Sequence, residues 1–225
     1  MAIITQIGSL PFDSAEKAVK YSLRHDIPFL PELPKLGDFM LDYIKNPGKL
    51  SCLSKFKRHS YDIVKVQCIG PATLAQSGYE EDDAIARIYS HIDAIITGLK
   101  AKETILFLDE PALGHAGFEY GHLWGAIFSS FNVTKGIHVC GNMGWDRMLT
   151  ADIDIISFDS SQFNITIYPK YKAFREKGGI VAWGISKLED IRDYQKGDLI
   201  TLPCGLGTKT IEEAEKGLEL LLKAR

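Results

Sequence analysis

Short β-branched apolar runs alternate with longer amphipathic stretches from one end of the chain to the other. This is the pattern of βα units around a parallel sheet. Strands are predicted near Ile3–Ile7, Phe29–Pro31, Ile63–Cys68, Ile105–Leu108, Thr134–Val139, Ile153–Phe158, Ile180–Trp183 and Leu199–Leu202. Helices are predicted near Ser14–His25, Asp38–Lys45, Glu81–Lys102, Gly121–Phe131, Met143–Thr150, Ile167–Lys177, Leu188–Gln195 and Thr210–Ala224. The last is the best defined: Thr210 caps it, Glu212 and Glu213 sit at its positive end, and Ile211, Ala214, Leu218, Leu221 and Leu222 line one face. Eight units leave about 28 residues each, which predicts a compact α/β fold, a (β/α)8 TIM barrel in a single domain over residues 1–225. An open doubly wound sheet is the alternative, because alternation does not reveal closure. No Gly-x-Gly-x-x-Gly follows the first strand, where a nucleotide-binding sheet would carry one.

Charge and cysteine usage narrow the function classes. Lys and Arg number 26 against 29 Asp and Glu, a formal net charge of -3, so the chain lacks the basic footprint of a nucleic-acid binder. Cys52, Cys68, Cys140 and Cys204 are few and irregularly spaced, which reads as reduced thiols or metal ligands and implies the cytoplasm. Cys52 beside Leu50 and Leu53, and Cys68 within an apolar strand, read as core residues. The amino-terminal Met-Ala-Ile-Ile-Thr-Gln has no positive region or cleavage site, and no uncharged apolar run reaches the ~18 residues of a membrane span. No membrane partner is expected.

In a barrel the chemistry sits at the C-terminal ends of the strands. Those ends carry Gly8-Ser9, Glu32, Asp109-Glu110, His138-Val139-Cys140, Asp159 and Cys204. His138 and Cys140 are two apart, so an extended backbone points both the same way. One imidazole and two thiolates favour zinc over magnesium or calcium, and three protein ligands leave an open position for catalysis. A His-x-Cys pair alone also reads as two buried core residues. Its strand-end position and the second cysteine, in Pro203-Cys204-Gly205-Leu206-Gly207, favour the metal.

Together these motifs resemble the catalytic barrel of the cobalamin-independent methionine synthase family, in a shortened form, within the superfamily that includes uroporphyrinogen decarboxylase. The resemblance rests on Thr5-Gln6-Ile7-Gly8-Ser9, Pro31-Glu32, Ile69-Gly70-Pro71-Ala72-Thr73, Leu108-Asp109-Glu110-Pro111-Ala112-Leu113, His138-Val139-Cys140, Ile156-Ser157-Phe158-Asp159 and Pro203-Cys204-Gly205-Leu206. It implies zinc on His138, Cys140 and Cys204, with Asp159 standing where the family has Glu, either as a shorter ligand or as a partner behind the ligands. It also implies a homocysteine site in which the Ile7 and Gly8 backbone and Ser9 meet the substrate carboxylate, and Glu32 and Asp109 its ammonium. Two acids suit a cation, and a hydroxyl with backbone donors suits a carboxylate. Glu32 also reads as a solvated loop acid and Ser9 as a turn cap. Asp109, in a buried run, needs a partner.

The chain departs from the family where the methyl donor would sit. Leu74-Ala75-Gln76-Ser77 lacks the tryptophan on which a pterin stacks, and Trp183-Gly184-Ile185-Ser186-Lys187 lacks the histidine that protonates the leaving amine. The family's amino-terminal half is also missing from this sequence. A corrinoid leaves without a general acid, whereas methyltetrahydrofolate needs one, so the expected donor is a methylated corrinoid or corrinoid protein. His115, after the fourth strand, is the remaining candidate acid, although a lone loop histidine also reads as solvated. Trp183 reads as core packing. Two other classes remain: a non-catalytic zinc- or corrinoid-binding barrel, and a tetrapyrrole decarboxylase, which the scattered arginines disfavour.

Overall fold

A computed structural model describes residues 2–116 and 121–225, without the side chains of His115 and Ala116. Its strands are β1 (Ile3–Ile4), β2 (Ser60–Ile69), β3 (Lys100–Asp109), β4 (Thr134–Val139), β5 (Ile155–Asp159), β6 (Ile180–Gly184) and β7 (Leu199–Thr201). They form one curled, all-parallel seven-stranded sheet in the order β1-β7-β6-β5-β4-β3-β2. Consecutive strands are joined by crossovers, as parallel pairing requires, and all but the last, which has a single 3-10 turn, carry α-helices.

The strand expected near Phe29–Pro31 is not regular. Residues 27–32 make only the isolated bridges Ser9↔Glu32 and Phe29↔Lys65. On one side Ile27 N–H donates to Ile4 and Glu32 N–H to Gly8; on the other Leu30 N–H donates to Lys65 and Lys65 N–H to Pro28. Pro28 and Pro31 bring no N–H to either neighbour, so a continuous ladder cannot form.

Several helices are shorter than their apolar period predicts. The segment expected over Glu81–Lys102 is helical only at Glu81–Ile96, and Gly98, at φ 77°, turns the chain into β3 five residues before the expected strand. Asp38–Lys45 reduces to Met40–Tyr43, Met143–Thr150 to Trp145–Met148, and Leu188–Gln195 to a single 3-10 turn, Leu188–Asp190. The last helix, Ile211–Ala224, has the expected cap: Thr210 and Glu213 exchange side-chain and backbone hydrogen bonds. Ala214, Leu218 and Leu221 are buried, but Ile211 and Leu222 are exposed, so the contact stripe is narrower than the apolar one.

The apolar residues divide by sheet face, as the two-residue period demands. Leu106 and Leu108 of β3 pack with the helices in the main cluster, which also takes in Cys52 and Cys68. Ile105 and Phe107 join Ile27, Ile155, Ala182 and Leu199 in a small second cluster. That inner cluster supports a layer of polar side chains near the strand C-termini. No helix among the described residues is long and apolar enough to cross a membrane.

Candidate metal and ligand site

Asp109 closes β3, and the sheet register aligns it with His138 of β4 and then Ser157 of β5. In a parallel sheet such a row faces one way, so three polar groups share the interior edge. All three are buried. Ser157 Oγ lies 3.0 Å from His138 Nδ1, which leaves Nε2 turned to the Cys140 sulfur, also at 3.0 Å. Cys140 follows β4 by one residue, and its Sγ is 3.3 Å from that of Cys204, in the turn after β7. The His138, Cys140 and Cys204 ligand atoms lie within 4.8 Å of one another, close enough to hold one metal ion. A nitrogen with two sulfurs is a donor set for a borderline or soft cation.

The two thiols shift in opposite directions. Hydrogen bonding to Cys204 holds the Cys140 proton in place, and burial adds to it; the same bond, with His138 behind it, pulls Cys204 well below the usual thiol range. A thiol lowered in this way gives up its proton more readily, which suits a cation.

Asp159 does not belong to this group of three. Its carboxylate accepts from the backbone N–H of Ser161 and Gln162 and from both of their side chains. These donors occupy both carboxylate oxygens.

Beside the thiols lies a cavity of 320 Å³ lined in part by Ile7, Ser9, Gln67, Asp109, His138 and Cys204. Asp109 is 1% exposed, and neither of its oxygens has a hydrogen-bond partner. Burial pushes it above the usual carboxylate range, against the pull of His138 and Lys65. Glu32 is equally buried, has one oxygen without a partner, and is pushed up to about 8 by burial and then by Asp109, against the pull of Lys65 and of the Gln67 amide. It is not a solvated loop acid. Ser9 Oγ accepts from Gly207 N–H at 2.9 Å, while Gly8 N–H donates to Gln67 Oε1 at 2.7 Å. The His115 side chain lies outside the described residues.

Adjacent acids meet opposite fates here. Glu110, pointing the other way from Asp109, accepts from the Ala72 and Thr73 backbones, Thr73 Oγ1 and Trp124 Nε1. It fastens β3 to the helix Pro71–Gln76, so two of the sequence motifs are one structural lock.

Sequence reading missed Lys65 and Gln67. Lys65 is wholly buried, its ammonium 4.7 Å from the Phe107 ring centre and 2.7 Å from Gln67 Oε1; burial lowers it to about 8, against the pull of Asp109 and Glu32. The signal was present: Lys65 and Gln67 alternate with Val64, Val66 and Cys68, so one face of an apolar strand is polar. Comparison with protein-family models and with curated proteins returns no match for this chain.

Proposed function

We propose that the chain is a compact (β/α)8 barrel of the cobalamin-independent methionine synthase type, which binds zinc and methylates a thiol, with homocysteine giving methionine in the cytoplasm. The reading is carried by one observation: His138, Cys140 and Cys204 converge from two strand ends beside a cavity that contains a buried carboxylate without a partner. Closure of the barrel is supported by residues 27–32, which bond to the β1 side and to β2 at once.

The residues fit zinc, because a histidine nitrogen and cysteine sulfurs are among its usual donors. His138, Cys140 and Cys204 would hold it, with Asp159 as the expected fourth ligand or a partner behind the other three. Bound zinc supplies the positive charge that lets a substrate thiol lose its proton at neutral pH.

The protein's own groups do the rest. Ser157 fixes the His138 ring so that Nε2 faces the cysteines. Asp109 and Glu32 offer carboxyl oxygens as acceptors to an ammonium, whose charge favours their ionised forms, and Ile7 and Ser9 line the approach. The thiol sulfur gains the methyl group and loses its proton, and the donor leaves demethylated. Departure as an amine needs a proton, but Ser186 follows β6 where an acid is expected, and its N–H donates to Asp190. A methylated corrinoid leaves without one.

The test supplies zinc-loaded protein with homocysteine and either methylcobalamin or methyltetrahydrofolate and follows methionine. Methylcobalamin is expected to be faster by roughly 10²–10⁴, the usual contribution of general acid catalysis. Efficient turnover with methyltetrahydrofolate would overturn the donor assignment and point to His115 as the acid. Failure with both donors would overturn homocysteine methylation.

A further inference from the structure

Gln67 is 2% exposed, and its amide oxygen accepts two hydrogen bonds of 2.7 Å, from the Lys65 ammonium and the Gly8 N–H. A backbone N–H can only donate, so the atom facing Gly8 must be the oxygen. The amide is thereby locked in one orientation, with its NH₂ turned away from both donors. Glycine at position 8 is required for this, since a Cβ there would lie 2.5 Å from the Gln67 amide carbon.

That locked NH₂ is buried and makes no close hydrogen bond, although it pulls on the Glu32 carboxyl; both Asp109 oxygens and one oxygen of Glu32 are likewise open. Gln67 and Asp109 line the same cavity as the thiols. Buried polar groups that the protein leaves open are completed by a ligand or by water, or remain costly. The ligand must bring a cationic donor for Asp109, an acceptor for Gln67 and a sulfur for the cysteine cluster. A thiol-bearing α-amino acid supplies all three. The Gly8 N–H expected to meet its carboxylate is engaged by Gln67, whose own NH₂ is next in line.

We infer that Gln67 is a specificity-determining residue: its locked NH₂ donates to the carboxylate of an α-amino thiol and selects such substrates over thiols that carry only the amine. This rests on the thiol-methylation reading above. Lys65 acts through Gln67 as a positioning residue, and Glu32 is the competing acceptor within the protein.

Calorimetric titration of the zinc-loaded full chain with homocysteine and with 3-aminopropane-1-thiol, the same molecule without its carboxylate, tests the inference. Wild-type protein is expected to prefer homocysteine by about ten- to a hundredfold, the range of a hydrogen bond to a charged group. Gln67→Glu keeps an oxygen for Lys65 and Gly8 but replaces the NH₂, so the preference should fall to near one or reverse. If thermal melting shows that variant unfolded, Gln67→Met reads the same ratio. An unchanged ratio in a folded variant, as expected if Gln67 serves only Glu32, overturns the inference. Equal wild-type binding of both thiols also overturns it while leaving thiol methylation standing; binding of neither overturns both.

Discussion

At the N-terminal end of the sheet Arg175 and Asp198 form a buried pair, whereas Lys65 and Gln67 of β2, with Glu32 and Asp109, form a buried cluster of the same polar character. Asp198 receives two bonds from Arg175, at 2.6 and 2.8 Å, and three more from Val181 N–H, Trp183 Nε1 and Gln195 N–H. Only Arg175 Nε is left without a partner there. In the other cluster the Asp109 carboxylate, one Glu32 oxygen and the Gln67 NH₂ all lack partners. Burial is nearly equal, so burial does not distinguish a structural charge from a ligand-binding one. Completion of the hydrogen bonds differs between these two: a satisfied network holds two elements together, and an open one costs stability until something fills it.

The contrast can be broken at the metal group first. Cys140→Ser with Cys204→Ser should reduce zinc from about one per chain to near none by elemental analysis, with the melting transition of the metal-free protein little changed, because barrel stability resides in the packed layers below the mouth. Stoichiometric zinc in the double variant would remove the assignment. Next, Asp198→Ala should cost about 3–5 kcal/mol in denaturant unfolding by stranding buried Arg175, while zinc stoichiometry stays as it was. A loss of zinc in folded protein would mean that the two ends are coupled.

The open cluster should carry a pH signature. Glu32 is raised from 4.5 to about 8, so the native state holds this proton where the unfolded chain has released it, and stability falls as pH rises from about 4.5 to 8. Glu32→Gln should flatten that slope in metal-free protein and gain on the order of 4 kcal/mol at pH 8 relative to wild type. Parallel slopes for both proteins would show that Glu32 is stabilised as an anion. Smallest are the supports behind the ligands: Ser157→Ala should weaken zinc ten- to a hundredfold in a competition titration by freeing the His138 ring. Asp159→Ala should fall in that same range if Asp159 is not a ligand and well beyond it if it is, with Asp159→Glu keeping or strengthening affinity.

The sequence by itself determined the alternation of strand and helix, the parallel sheet and the strand-end positions of His138, Cys140 and Cys204, because the periods of two and 3.6 and the spacing of His138-Val139-Cys140 are local properties of the chain. The fully buried Cys52 and Cys68 were legible for the same reason. Only the tertiary structure decided that residues 27–32 bridge without forming a strand, since Pro28 and Pro31 act through neighbours distant in sequence. It also decided which acid of Asp109-Glu110 is tied down and which is left open, and that Gly8 spends its N–H on Gln67, 59 residues away. A side chain's residue type is local, but whether its hydrogen bonds are completed depends on what the fold brings against it.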